Sequence, residues 1–134
     1  MYNRYLITGA TGFLGRAIVK ELVRLNVRVD ALVLRNDPYA ALLPGEVHTV
    51  IGDVCEDDSL ERFFADADNT TCVIHCAGII SVASRSGSKL YQVNIGGTCK
   101  VIRQCLEHHI GKMIYVSSVH AIPEKPKNCV ITED

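Results

Sequence analysis

Apolar positions along the chain follow two alternating patterns. Short apolar runs, typical of strands that are buried on both faces of a parallel sheet, are separated by longer segments with helical spacing. The runs predict five strands, at Arg4–Thr8, Val27–Leu34, Glu46–Ile51, Cys72–His75 and Lys112–Ser117.

Three segments between the strands have the spacing of amphipathic helices: Phe13–Leu25, Asp57–Phe64 and Leu90–His108. The second begins with acidic residues, which favour a helix amino terminus. In the first, one apolar face is predicted, formed by Phe13, Leu14, Ile18, Leu22 and Leu25. After Ser118 the pattern becomes irregular and predicts no element.

Strands that alternate with helices predict an α/β fold, a Rossmann-type doubly wound parallel sheet with right-handed crossovers. We expect the strand order 3-2-1-4-5, ending after the fifth strand, and a ligand crevice at the carboxyl ends of the first and fourth strands. Residues 1–134 are expected to form one domain.

Composition excludes several classes of function. The 134 residues are 48% apolar and 22% charged, with a net charge of -1 and no basic block, which argues against a nucleic-acid or membrane partner. No apolar run reaches the roughly 18 residues that a membrane span needs. Without a signal-peptide pattern at the start, a cytoplasmic location is expected.

Six cysteines occur, at positions 55, 72, 76, 99, 105 and 129. They contain no C-x-x-C pair, which argues against a metal site, and no secretion signal supports a disulfide framework. We therefore predict reduced, mostly buried thiols without a chemical role.

The glycine-rich segment TGATGFLG joins the first strand to the first helix. Gly9 would permit the tight turn, Gly12 the approach of a pyrophosphate to the backbone, and Gly15 close packing of helix against strand. The helix start would offer free N–H groups and a positive dipole end to the phosphates. The predicted cofactor contacts of this loop are Gly9, Thr11, Gly12, Phe13, Leu14 and Gly15.

The spacing G-x-x-G-x-x-G resembles that of the short-chain dehydrogenase/reductase superfamily, and TGATGFLG is most similar to its extended branch of NAD-dependent epimerases, dehydratases and reductases. Four further motifs of that branch follow in the expected order. They are Gly52-Asp53-Val54, His75-Cys76-Ala77-Gly78, Val93-Asn94-Ile95-Gly96-Gly97-Thr98 and Tyr115-Val116-Ser117-Ser118.

The resemblance implies a role for each motif. Asp53 would accept a hydrogen bond from the adenine amino group, assisted by the backbone of Val54. The small residues Cys76, Ala77 and Gly78 would lie beside the cofactor ribose. His75 itself is interpreted as a buried residue at a strand end, not as a catalyst.

The resemblance also implies a structural or catalytic role for residues of the last two motifs. Asn94 would act in structure or in a proton relay, the alternative being a solvent-facing asparagine. Ser118, or less favourably Ser117, would hydrogen-bond the reacting oxygen of the substrate. Without the resemblance, two serines at a strand end indicate only a cap.

The choice between NADP and NAD depends on the end of the second strand. An acid about 20 residues after the last glycine would bind the ribose 2′-hydroxyl and favour NAD. Arg35 occupies that region and suits a 2′-phosphate, so NADP is favoured. Asp37 follows closely, and a shifted turn would restore NAD.

The reaction of the family needs a tyrosine followed four residues later by a lysine. None of the five tyrosines has that neighbour. We expect an N-terminal fragment that is inactive alone, from an oxidoreductase or epimerase acting by hydride transfer on a carbonyl, hydroxyl or sugar-nucleotide substrate. An uncovered sheet edge would favour self-association as a homo-oligomer.

Two other functions share part of this pattern. A non-catalytic module that binds or senses NAD(P) would keep the glycine loop without the catalytic tyrosine. A Rossmann-like methyltransferase is disfavoured by Asp53 and by the H-C-A-G motif.

Overall fold

The five predicted strands form one parallel sheet with the order β3-β2-β1-β4-β5, which confirms the predicted fold class. The computed structural model describes residues 2–80, 87–118, 121, 126 and 129. The strands are β1 Arg4–Thr8, β2 Arg28–Val33, β3 His48–Ile51, β4 Thr71–His75 and β5 Lys112–Tyr115.

Helices connect the strands on both faces of the sheet. They are α1 Phe13–Arg24, α2 Asp57–Phe64, α3 Ser88–Tyr91 and α4 Thr98–Glu107, with a short 3₁₀ turn at Ala40–Leu42. The predicted long helix is continuous from α3 to α4, but its middle, Gln92–Gly97, is π-helical. At its end, a Cβ on Gly97 would lie 2.7 Å from a methyl carbon of Val54, so this glycine lets the helix pack closely.

Two apolar clusters cover the two faces of the sheet. Leu6 of β1 packs in one cluster with residues of α2 and α4, whereas its neighbour Ile7 packs in the other with residues of α1. Successive strand residues point to opposite faces, so both positions must be apolar. This arrangement explains why the strands appear in the sequence as continuous apolar runs.

The predicted apolar face of α1 is wrong in three positions. Phe13, Leu14 and Leu25 are 90%, 46% and 50% exposed. The buried residues are Gly15, Val19 and Leu22, with Ile18 half-buried. Gly15 must lie against the loop after β1, because a Cβ there would be 2.1 Å from the Gly9 carbonyl oxygen. That contact sets the rotation of the helix and turns Phe13 and Leu14 outwards.

Both edge strands are shorter than predicted. β3 begins at His48, two residues after Glu46, and β5 ends at Tyr115, two residues before Ser117. In the part of the chain that the structure describes, each edge strand pairs with one neighbour. Tyr115 is paired with His75, the last residue of β4. A ladder cannot extend beyond its partner, so β5 stops where β4 stops.

All six cysteines are free thiols, but they are less buried than predicted. Cys72 and Cys105 are buried, Cys55 and Cys76 are partly buried, and the expectation is wrong for Cys99 and Cys129, which are exposed. In the described part of the chain, no helix has the length and apolar character needed to cross a membrane. The same residues contain no cluster of side chains suited to a metal ion.

A buried carboxylate joins three strands toward their amino ends. Asp30 of β2 is fully buried and pairs with Arg4 of β1. Its other partners are Arg28, at 3.3 Å, and His48 of β3, at 2.8 Å. Arg4 also donates to the carbonyl oxygen of Ala65, after α2. These contacts satisfy a charge that would otherwise be costly to bury.

We expect Asp30→Asn to lower the free energy of unfolding by about 3 kcal/mol, because it leaves the buried guanidinium of Arg4 without its counter-charge. Urea unfolding at pH 7 measures the loss. Asp57→Asn is the matched control, since Asp57 forms an exposed pair with Lys100 and Arg103 and exposed pairs contribute little. A loss for Asp30→Asn no greater than that of the control would contradict this assignment.

Candidate functional site

A cavity of about 390 Å³ opens at the carboxyl ends of the strands, where the strand order reverses. This is the position in which doubly wound sheets bind ligands. It is lined by Gly9, Thr11, Gly12, Leu32, Leu34, Asp37, Gly52, Asp53, Val54, Cys76, Ala77, Gly78, Ile79, Lys89 and Val93. Loops after β1, β2, β3 and β4 and the first turns of the long helix therefore enclose one space.

The glycine loop brings three parts of the backbone into close contact. Gly9 has a φ of +68°, and a Cβ there would lie 2.6 Å from the backbone nitrogen of Ala77. Gly15 packs against Gly9, as described for α1. At Gly12, by contrast, the only described atom within 4 Å of such a Cβ is the Gly9 carbonyl oxygen, at 3.3 Å. Gly9 and Gly15 are thus required by packing, whereas the space at Gly12 remains open toward the cavity.

Helix α1 begins directly after Gly12, and no side chain in the described ranges caps its amino terminus. The first N–H groups of a helix have no partner within the helix, and they carry the positive end of its dipole. Because Gly12 lines the cavity, this terminus offers donors for a phosphate group.

The loop after β2 presents an acid to the cavity. The Thr11 hydroxyl donates to Asp37 Oδ2 at 2.6 Å, and the Tyr39 backbone N–H donates to Asp37 Oδ1 at 2.9 Å. Asn36, with a φ of +62°, makes the turn that brings Asp37 to this place. Arg35 is exposed, and within the described residues it does not line the cavity.

Asp53 and Val54 line the cavity at the end of β3. One carboxylate oxygen of Asp53 accepts a hydrogen bond from the Cys55 backbone N–H at 2.9 Å. This bond orients the carboxylate, whose second oxygen can accept from a ligand. Val54 is buried against Gly97, so the wall of the cavity is continuous with the core.

Asn94 holds the loop after β4. Its Oδ1 accepts from the Ile79 backbone N–H at 2.7 Å, and its Nδ2 donates to the Ile79 carbonyl oxygen at 2.9 Å. The side chain therefore does not face solvent. It acts on the cavity through Ile79, which lines it.

His75 is fully buried at the end of β4. Its Nδ1 is 2.6 Å from the Thr8 hydroxyl and its Nε2 is 2.9 Å from the Thr98 hydroxyl. The Tyr115 ring stacks on the imidazole, with centroids 5.7 Å apart. Burial lowers the pKa of His75 to about 4, so the ring is neutral at pH 7 and is a weak proton acceptor.

Among the described residues, four of the remaining candidates do not line the cavity. Ser117 and Ser118 follow β5 and are exposed, and in the described part of the chain neither lines the cavity. Phe13 and Leu14 lie on the outer side of α1, as described above. Cys76 does line the cavity, but burial raises the pKa of its thiol, which disfavours the reactive thiolate.

Several lining residues were not among the sequence candidates. Leu32 and Leu34 belong to β2 and its end, Ile79 follows the H-C-A-G motif, and Val93 begins the motif that contains Asn94. Their positions beside these motifs are a signal that could have identified them. No comparable pattern marks Lys89, which reaches the cavity because the long helix begins two residues earlier than predicted.

Comparison with known proteins agrees with the motifs. A model of the 3-beta hydroxysteroid dehydrogenase/isomerase family matches residues 6–134. Human 3 beta-hydroxysteroid dehydrogenase type 7 is 30% identical over 130 residues, covering 92% of this chain and 34% of that protein. Mouse short-chain dehydrogenase/reductase family 42E member 1 is 30% identical over 119 residues, covering 87% of this chain and 30% of that protein.

The chain thus spans about a third of the length of these curated relatives. Among solved structures, the UDP-glucose 4-epimerase of Thermus thermophilus in complex with NAD has a TM-score of 0.82 at 23% identity, covering 97% of this chain and 42% of that chain. This likeness concerns the fold alone. Together the matches confirm the resemblance to the extended short-chain dehydrogenase/reductase superfamily.

The neutral, buried state of His75 makes stability depend on pH. Its pKa is about 4 in the folded protein against an ordinary 6.5, so the unfolded chain takes up a proton at higher pH. We expect the free energy of unfolding to be at its full value above pH 6.5 and to fall by about 3 kcal/mol as the pH drops to about 4.

Urea unfolding across this pH window measures the effect. Glutamine does not titrate, so His75→Gln should be less stable at neutral pH but should lack this decrease. Paired carboxylates such as Asp57 contribute below this window, because their pKa values are lowered from 3.8. Wild-type and variant stabilities that run parallel between pH 6.5 and 4 would contradict a buried neutral imidazole.

Proposed function

The chain belongs to the 3-beta hydroxysteroid dehydrogenase/isomerase family, and from this premise we propose that its cavity binds a nicotinamide dinucleotide. We further propose that the whole protein transfers hydride between this cofactor and a hydroxyl or carbonyl group of its substrate. The observation that carries the proposal is the open space at Gly12, in front of the uncapped amino terminus of α1.

The cavity has complementary groups for the pyrophosphate, adenine and ribose parts of the nucleotide. Pyrophosphate fits against Gly12 and the first N–H groups of α1. Adenine fits between Leu32 and Val54, with the second oxygen of Asp53 available to its amino group. The ribose fits near Asp37 and Ala77. A volume of about 390 Å³ is in the range of known small-molecule sites.

We propose NAD as the preferred cofactor. Asp37 lines the cavity and its carboxylate would accept from ribose hydroxyls, whereas it would repel a 2′-phosphate. Arg35, which the sequence suggested for NADP, does not line this space in the described part of the chain. A carboxylate already oriented by Thr11 and Tyr39 supports the choice, because little entropy is lost when it binds.

For the substrate we propose a bulky, largely apolar alcohol or ketone. Ile80 is 96% exposed and directly follows Ile79, which lines the cavity. An exposed apolar side chain next to a site favours an apolar ligand. The family name and the name of human 3 beta-hydroxysteroid dehydrogenase type 7 point to the same class.

Ser118 is proposed to orient the reacting oxygen of that substrate. None of the tyrosines has a lysine four residues later, so we propose nucleotide binding without turnover for the 134 residues alone. Non-catalytic nucleotide binding by the whole protein is the alternative. An assay of the whole protein with NAD and hydroxysteroids distinguishes a catalytic from a non-catalytic whole protein. Turnover would exclude the non-catalytic alternative.

We expect Gly12→Ala to leave the fold intact while weakening NAD binding at least about tenfold, which corresponds to about 1.4 kcal/mol. The added methyl group would lie 3.3 Å from the Gly9 carbonyl oxygen, a contact that a shift of a few tenths of an ångström relieves, and it would occupy the place of the pyrophosphate. Calorimetric titration measures the affinity and thermal unfolding checks the fold. Gly45→Ala is the control, because none of the described atoms lies within 4 Å of a Cβ at that position. Unchanged affinity in Gly12→Ala would argue against a phosphate at this loop.

We expect Asp37→Ser to weaken NAD binding about tenfold and to narrow or reverse the preference for NAD over NADP, because a charge-assisted acceptor is lost. Arg35→Gln should change both affinities less than about twofold, a change within ordinary surface effects. Parallel titrations of the two variants with both nucleotides provide the test. A selective loss of NADP affinity in Arg35→Gln would instead support the arginine.

A further inference from the structure

A continuous hydrogen-bond chain passes through His75 beneath the cavity. The Ala77 N–H donates to the Thr8 hydroxyl at 3.3 Å, and that hydroxyl is 2.6 Å from His75 Nδ1. On the other side of the ring, Nε2 is 2.9 Å from the Thr98 hydroxyl, which donates to the Asn94 carbonyl oxygen at 2.8 Å. Thr8, His75 and Thr98 lie on β1, β4 and the long helix, and no single sequence motif contains residues of all three elements.

The donor and the acceptor of each hydrogen bond in this series follow from the groups at its two ends. The Thr98 hydroxyl has one proton, which it gives to Asn94, so His75 must donate to it from Nε2. A neutral imidazole has a single N–H, and its Nδ1 must therefore accept the proton of the Thr8 hydroxyl. The chain defines one tautomer of His75, protonated on Nε2.

The chain ends on both sides of the same loop. One end holds Ala77 by its N–H. The other end reaches Asn94, whose side chain pairs with both backbone groups of Ile79. Ala77, Gly78 and Ile79 all line the cavity. Gly9 also packs against Ala77, so the position of this loop affects that of the glycine turn.

We propose that His75 is a positioning residue, which holds the Ala77–Ile79 loop in the geometry that receives the dinucleotide. The inference rests on the proposed nucleotide site. Imidazole suits the place because its donor and its acceptor lie on separate sides of one rigid ring and each meets a threonine hydroxyl. The stacked ring of Tyr115 closes the remaining face and connects the arrangement to β5, which Ser117 and Ser118 follow.

A substitution at Thr98 can interrupt the hydrogen-bond chain without changing a residue that lines the cavity. Thr98→Val keeps the shape of the side chain and removes the hydroxyl, and Thr98→Ser restores the hydroxyl. Thr71→Val is the matched control, because Thr71 is a buried threonine at the far end of the same strand as His75, where its hydroxyl accepts from the Asp68 backbone N–H.

Three measurements test the proposal on the whole protein. We expect the nitrogen NMR spectrum of wild type to show His75 as the Nε2–H tautomer. We expect hydrogen exchange of the Ile79 amide to accelerate at least about tenfold in Thr98→Val, and NAD affinity to fall about tenfold, as for one lost buried hydrogen bond. Thr98→Ser and Thr71→Val should remain within about twofold of wild type in both measurements.

Results other than these would contradict different parts of the proposal. The Nδ1–H tautomer in wild type, or unchanged exchange at Ile79 in Thr98→Val, would overturn the positioning role. Faster exchange with unchanged NAD affinity would overturn the link between this loop and the nucleotide. If wild type binds neither NAD nor NADP while exchange still accelerates in Thr98→Val, the proposed function fails and the hold of His75 on the loop is supported.

Discussion

The contact of bare backbone between β1, α1 and the loop after β4 is the constraint on which the rest of the structure depends. Gly9 meets Ala77 and Gly15 meets Gly9 at distances that leave no room for a Cβ. These contacts fix how α1 is rotated, which residues of α1 reach the core, and how near its amino terminus lies to the cavity. Packing and the candidate chemistry therefore share one cause.

Buried polar groups have different partners at the two ends of the sheet. At the amino ends, Asp30 forms ion pairs with Arg4 and Arg28 and lies 2.8 Å from Nδ1 of His48. At the carboxyl ends, His75 is hydrogen-bonded to the neutral hydroxyls of Thr8 and Thr98. An acceptor oxygen of Asp53 and the N–H donors at the start of α1 remain available there. Polar groups that are paired at the amino ends stabilise the fold. Groups that are still unpaired at the carboxyl ends can bind a ligand, which is why loops at that end carry function.

The loop after β2 illustrates how local geometry alters an assignment made from spacing. Arg35 and Asp37 are two residues apart, and spacing from the last glycine favoured the arginine. The left-handed turn at Asn36 and the hydrogen bonds of Asp37 to Thr11 and Tyr39 bring the acid to the cavity instead. A turn of this kind depends on contacts with another loop, and a linear count of residues does not include them.

The sequence by itself determined the strand order, the glycine loop and the ordered motifs, because buried parallel strands need continuous apolar runs and tight backbone contacts need glycine. It also indicated the neighbourhood of Asp53, Ala77 and Asn94. Only the tertiary structure decided which face of α1 is buried, that Asp37 rather than Arg35 lines the cavity, and that His75 connects both ends of one loop. These features depend on contacts between residues distant in the chain, and each distance is set by the packing of whole elements.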